Sequence, residues 1–274
     1  MSNRKKILLA VAPNGARKTK LAHPNIPLDA QEIAQTANEC LMAGASMMHL
    51  HVRNPEDNSH SLAIEHYQIA ISAIEKKCDQ ALFVQVTSEA VGIYSPEEQF
   101  EMIHGLNPTA VSIGLREIES LSEAVIYKHF VKMKEKNINP QIILYNQNDL
   151  DRYHDWLNRN VLPGNAYPIL LVIGRPKTAG AFENSYLITE NIRKIKASSW
   201  MICAFGKNEF SAAKLAANLG GHIRIGFENN SVLEDGTEAE NNAALIMQIH
   251  EYLSNNHMQS TNHAETKALM TPDW

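Results

Sequence analysis

The 274 residues are 44% hydrophobic and 20% charged, the balance of a soluble globular protein, and the length suits two ordinary domains or one α/β barrel of about 250 residues. A net charge of −5 and a pI near 6.2 argue against the basic stripe that a nucleic-acid surface needs, and no apolar run approaches the roughly eighteen residues of a membrane span. Cys40, Cys78 and Cys203 are scattered without Cys-x-x-Cys spacing, so neither a disulfide framework nor a thiolate zinc site is expected, and a cytoplasmic location fits best.

In chain order, a basic opening precedes Ile7 to Ala12, a continuously apolar run read as a strand buried on both faces. The apolar core from Ile7 to Val11 is too short for a secretory signal. Asp29 caps a helix with Glu32 three residues on, and Gly44 ends it. Met47 to Arg53 is the second strand. Alternation puts His49, His51 and Arg53 on one side and Met48, Leu50 and Val52 on the other.

The pattern then repeats. A helix from Leu62 to Ile74 precedes the strand Ala81 to Val86. Ser95, Pro96 and Glu98 are a strong helix start ahead of the strand Thr109 to Ile113. Ser120 and Glu123 read as a second capping box opening a helix to about Lys134. Strands follow at Gln141 to Tyr145, Pro168 to Ile173, Trp200 to Phe205 and His222 to Phe227. Helices are expected near Leu150 to Leu157, Ser185 to Ile195, Phe210 to Leu219 and Glu238 to Leu253. Eight βα units without a composition shift are the arithmetic of a single (β/α)8 TIM barrel over residues 1–274. The open doubly wound sheet fits less well, because Pro13-Asn14-Gly15-Ala16-Arg17 is a poor glycine fingerprint.

A barrel carries its active site at the C-terminal ends of its strands. Two imidazoles on one strand face suit a divalent transition metal such as zinc. Closure brings the end of the eighth strand near that of the second, which makes Glu228 the natural third ligand. Arg224, four residues earlier on an apolar strand, needs a carboxylate partner from protein or substrate. Arg53 invites the same reading or a solvated one. Thr87 and Ser88 end the third strand, where hydroxyls orient a substrate or simply cap the strand. Arg17, in the cationic first loop, is either solvated or in contact with an anionic substrate. His23, His60, His66, His104 and His154 read as loop or helix-surface background.

With these residues in view, the chain resembles the β-keto acid cleavage enzymes, a zinc-dependent TIM-barrel family typified by the 3-keto-5-aminohexanoate cleavage enzyme. The stretches that carry the likeness are Pro27 to Ala34, Ala43-Gly44-Ala45, His49 to Arg53 and Gly220 to Asn230. Asn241-Asn242-Ala243 and Ala264 to Lys267 match weaker patterns. The resemblance makes His49, His51 and Glu228 the Zn2+ ligands and Arg224 the arginine beside the catalytic acid. It implies that a β-keto acid is deprotonated, that its carbanion attacks acetyl-CoA, and that acetoacetate and a new acyl-CoA result. It also implies a homo-oligomer, a tetramer by preference.

The chain departs from the family pattern at several places. Asn229 stands where the family has its catalytic Asp, and an amide cannot take a proton near neutral pH. Pro140-Gln141-Ile142-Ile143 replaces Pro-Glu-x-Glu, Thr87-Ser88-Glu89-Ala90 replaces Ser-Thr-Gly-Gly, and Arg17 takes the place of an acidic residue that meets a substrate ammonium. Arg17 thus favours a substrate with a second anionic group, and Glu89 is a candidate replacement base. Two other readings keep the metal: a CoA-independent retro-aldol cleavage or decarboxylation, and a barrel that binds a keto acid without turning it over.

Overall fold

A computed structural model describes residues 4–176, 182 and 192–274. Eight parallel strands close into a barrel: β1 (Leu9–Val11), β2 (Met47–Leu50), β3 (Phe83–Thr87), β4 (Ala110–Gly114), β5 (Asn139–Leu144), β6 (Tyr167–Ile173), β7 (Ala197–Ala204) and β8 (His222–Ile225). Closure comes from β8, which pairs with β1 through Ile223–Leu9 and Ile225–Val11, so the expected (β/α)8 architecture is present. Around it run α1 (Ala30–Met42), α2 (Ile64–Lys77), α3 (Pro96–Leu106), α4 (Glu123–Glu135), α5 (Gln147–Asn158), α6 (Glu209–Leu219) and α7 (Asn242–Asn255). Among the described residues no helix is long and apolar enough to cross a membrane.

Strand alternation sorts the core into two layers. Ala10, Met47, Phe83, Ala110, Leu170 and Met201 pack together as one buried cluster, with Met270 from the chain's end joining it. Met48, Leu50, Val52, Val86 and Ile113 face the helices, against Ile33, Ala37, Tyr67 and Ile103. Residues inside the barrel and those outside it thus follow the period of two that a strand imposes. His49, one step from Met48, is turned away from the helix layer.

Local chemistry explains most element ends. Asp29 accepts from the backbone N–H groups of Gln31 and Glu32 at 2.9 and 2.8 Å, and Glu32 reaches back to Leu28 N–H at 2.9 Å. The Ser95–Glu98 capping box is complete. The expected Ser120–Glu123 box does not form. A one-turn helix, Leu115–Ile118, intervenes after β4, and α4 begins at Glu123 itself, which puts that carboxylate in the first helical position rather than the third. The helix expected at Ser185 to Ile195 lies outside the described residues, apart from a 3-10 turn at Ile192–Lys194.

The surface reading of several histidines is also overturned. His23, His60 and His104 are buried. His23 packs on Phe227 with ring centroids 4.3 Å apart, and His60 lies 5.4 Å from the ring of His51. His104 Nε2 sits 3.0 Å from His129 Nδ1, and the His129 ring stacks on Phe100 with centroids 4.0 Å apart. Sequence spacing alone hides these contacts, because each imidazole meets its partner across two elements.

Candidate active site at the C-terminal face of the barrel

At the C-terminal mouth of the strands lies a cavity of about 630 Å³, lined by loop residues 14–18 and by His49, Thr87, Glu89, Arg224 and Glu228 among others. The chain reaches this geometry through two glycines. Gly226 leaves β8 at φ +140°, and a Cβ there would collide with the Ala12 backbone. Gly15 has φ +60°, and its Cβ would stand 2.6 Å from Glu228 Cγ, so the first loop can lie against that side chain only as glycine.

The turn that carries Glu228 is fixed from below. Glu209, at the start of α6, accepts from Gly226 N–H and from Asn230 Nδ2, both at 3.1 Å. Burial pushes the Glu209 carboxyl up to about 8. Asn242 accepts from Phe227 N–H at 2.9 Å and donates to Pro13 carbonyl at 3.1 Å, tying β8 to the first loop. Arg53 is neither solvated nor free for substrate. Its guanidinium donates to the carbonyls of Gly15, Ala16 and Lys18 and so holds that loop in place.

His49 Nε2 and His51 Nε2 stand 3.2 Å apart, and Glu228 Oε2 lies 3.8 and 3.7 Å from them. These three side chains form the candidate metal-binding group, with all ligand atoms within 4.8 Å of one another. Both histidines are buried, and Glu228 Oε2 is a buried oxygen with no hydrogen-bond partner among the described residues. A tetrahedral ion with ligand bonds near 2.1 Å needs donors about 3.4 Å apart. The observed spacing and the unpartnered oxygen therefore fit a divalent ion, and the N,N,O donor set fits zinc among others.

Electrostatics prepare the ligands. Burial, with the nearby Arg224 charge, pushes His49 down to about 4. Burial and His49 together hold His51 well below its usual range. Both imidazoles are neutral at pH 7, the state in which they can ligate. Burial alone would raise the Glu228 carboxyl, but Arg224, His49 and Arg175 outweigh it and keep it below the ordinary carboxylate value. Arg224 donates to Glu228 Oε1 at 3.2 Å and to Cys203 Sγ at 3.3 Å, leaving Oε2 toward the two imidazoles.

The other residues singled out from the sequence divide. Arg17 and Thr87 line the cavity. Arg17 Nη1 lies 3.1 Å from Glu89 Oε1, and Thr87 Oγ1 accepts from Glu89 N–H at 3.0 Å. Ser88 is fully buried, does not line the cavity and donates to the Ser112 carbonyl at 2.9 Å. Asn229 is buried with neither side-chain polar atom partnered among the described residues.

Glu89, a candidate base from the sequence, lines the cavity as well, whereas Arg116, Glu117 and Arg175, which also line it, had no local signal in the sequence. Glu89 Oε2 stands 4.0 Å from His51 Nε2, while Arg175 clasps Oε1 at 2.6 Å. Arg116 and Arg175 both lie over the Tyr145 ring, 4.3 and 4.8 Å from its centroid. Glu117 accepts from Ala90 N–H at 3.3 Å, and burial beside Glu89 raises its carboxyl to about 7. Charged residues in strand-to-helix loops are ordinarily solvated, and only the fold shows that these converge.

Fold and cluster together define a class: TIM barrels with a candidate metal centre of two histidines and one carboxylate at the C-terminal face. The family model described as beta-keto acid cleavage enzyme matches residues 6–271, and the chain belongs to that family. It is 29% identical over 250 residues to the 3-keto-5-aminohexanoate cleavage enzyme of Fusobacterium nucleatum, covering 89% of this chain and 90% of the relative. It is 24% identical over 253 residues to the 3-oxoadipate:acetyl-CoA acetyltransferase of Cupriavidus necator, covering 88% and 86%. Among solved structures, the complex of ObcA with oxaloacetate superposes with a TM-score of 0.73 at 14% identity, over 92% of this chain and 68% of that one, a likeness of fold.

Proposed function

We propose that this barrel is a zinc-dependent β-keto acid cleavage enzyme that uses acetyl-CoA. The carbon–carbon bond between C2 and C3 of the keto acid breaks, C2 bonds to the acetyl carbonyl carbon, and the CoA thiol passes to the released acyl group. Acetoacetate and a new acyl-CoA are the products, and no other reactant is needed for the atoms to balance. The observation that carries this reading is the cluster of His49 Nε2, His51 Nε2 and the unpartnered Glu228 Oε2 at the cavity wall. Family membership and the reactions named for relatives support it.

Those three residues would hold zinc, which would supply Lewis-acid polarisation of a keto oxygen, so that a weak carboxylate would suffice as base. Arg224 steadies Glu228 through one carboxylate oxygen and supplies positive charge beside the reacting carboxylate. Asn229 has no proton-accepting group, and its amide offers hydrogen bonds instead. The proton of the keto acid goes to Glu89, the cavity carboxylate nearest the His51 ligand atom after Glu228 itself. Arg17 and Arg175 hold that carboxylate and favour a keto acid whose far end is anionic.

Incubation of zinc-loaded and chelator-stripped protein with acetyl-CoA and a panel of β-keto acids tests the proposal. Acetoacetate from at least one dicarboxylic substrate, dependent on both metal and CoA, is expected. Turnover without CoA would select the retro-aldol or decarboxylation reading. No turnover of any substrate, with activity appearing in Asn229→Asp, would select a binding protein.

A further inference from the structure

Two carboxamides sit in the barrel interior where apolar side chains would pack without cost. Gln85 on β3 is 0% exposed and Gln141 on β5 is 1% exposed. A buried amide is tolerated only when it is hydrogen-bonded, and these two are bonded in series. Gln85 Nε2 donates to Gln141 Oε1 at 3.0 Å, and Gln85 Oε1 lies 2.9 Å from His49 Nδ1. The strand register sets up the contact, because Gln85 is the residue paired with His49 on the neighbouring strand.

The two ends of an amide are chemically distinct, which gives this chain of bonds a direction. With its NH2 spent on Gln141, Gln85 presents only an acceptor to His49. His49 must therefore carry its proton on Nδ1 and keep Nε2 bare. The opposite tautomer would face two acceptors toward each other and point an N–H at His51 Nε2, 3.2 Å away. His51 has no equivalent support, since its Nδ1 is buried without a partner among the described residues.

We infer that Gln85, backed by Gln141, is the positioning residue that fixes the tautomer and ring orientation of His49 for metal binding. The inference rests on the zinc reading of the cluster. Both links are neutral, so His49 is oriented without the additional negative charge that a carboxylate partner would bring to a metal site.

Zinc affinity measured by chelator competition, with the visible spectrum of the Co2+ form, tests the relay independently of turnover. Gln85→Met removes the acceptor at nearly constant volume and is expected to weaken zinc binding about 10–100-fold and to alter the Co2+ spectrum. Gln141→Met leaves the acceptor in place but unsupported, and a smaller loss is expected. Gln85→Glu keeps an acceptor at Nδ1 and should bind zinc at least as tightly as wild type. Gln85→Met binding zinc with wild-type affinity, or Gln85→Glu losing as much as Gln85→Met, would overturn the inference. If Gln85→Met does not fold, an unchanged affinity in Gln141→Met overturns it as well. Wild-type protein that binds no zinc, or His49→Ala that binds it equally well, would instead remove the metal reading on which the relay depends.

Discussion

In the proposed reaction Glu89 is the base. It follows the end of β3, is held by Arg17 and Arg175, and stands 4.0 Å from a candidate ligand atom. If it takes the proton of the keto acid, Glu89→Gln should lower turnover about 10²–10⁴-fold while leaving zinc affinity within a few-fold of wild type. Steady-state rates beside a zinc titration check both halves, and undiminished turnover would move the base elsewhere, with Glu117 next in line. His49, His51 and Glu228 were legible in the sequence from alternation along a strand and closure of an eight-strand barrel, although β2 ends at Leu50, His51 lies just beyond it, and Val52–Arg53 pair antiparallel with His60–Ser61 outside the barrel. Gln85, Arg116, Glu117 and Arg175 were not legible as site residues, since each is one polar side chain in its own segment. A glutamine between Val84 and Val86 did carry a faint signal, an amide in an otherwise apolar strand.

At the scale of elements, the βα units were readable from apolar runs and caps, and the departures came where a cap competed with another turn. The Ser120–Glu123 pattern lost to the Leu115–Ile118 turn because the chain folds back immediately after Gly114. The turn after β8 is the element that joins fold to function. Glu209 and Asn242 brace it, and Gly226 lets it pass against the Ala12 backbone. Gly226→Ala should therefore cost more than the roughly 1 kcal/mol of an unobstructed glycine at positive φ, and should weaken zinc binding by displacing Glu228. Gly236→Ala is the control: φ is positive there too, at +89°, but no atom lies within 4 Å of its added Cβ. Melting temperatures and zinc titrations of the two variants separate steric displacement of the turn from the general penalty of a left-handed alanine.

Across the whole molecule, the barrel divides its labour between ends. Met270 joins the interior cluster, so side chains from the chain's last segment help fill the barrel. Among the described residues, the C-terminal mouth gathers the cations Arg17, Lys18, Arg116, Arg175 and Arg224 around Glu89, Glu117 and Glu228. That excess of positive charge in a cavity, on a chain of net charge −5, suits anionic reactants such as a keto acid and acetyl-CoA. On the proposed route acetyl-CoA supplies carbon to the product rather than merely accompanying it. With acetyl-CoA carrying carbon-13 at the acetyl carbonyl and a turned-over β-keto acid, the zinc-loaded protein should release acetoacetate labelled at its keto carbon, and chelation should abolish the signal. Acetoacetate released without label, or labelled equally after complete removal of the metal, would exclude that route.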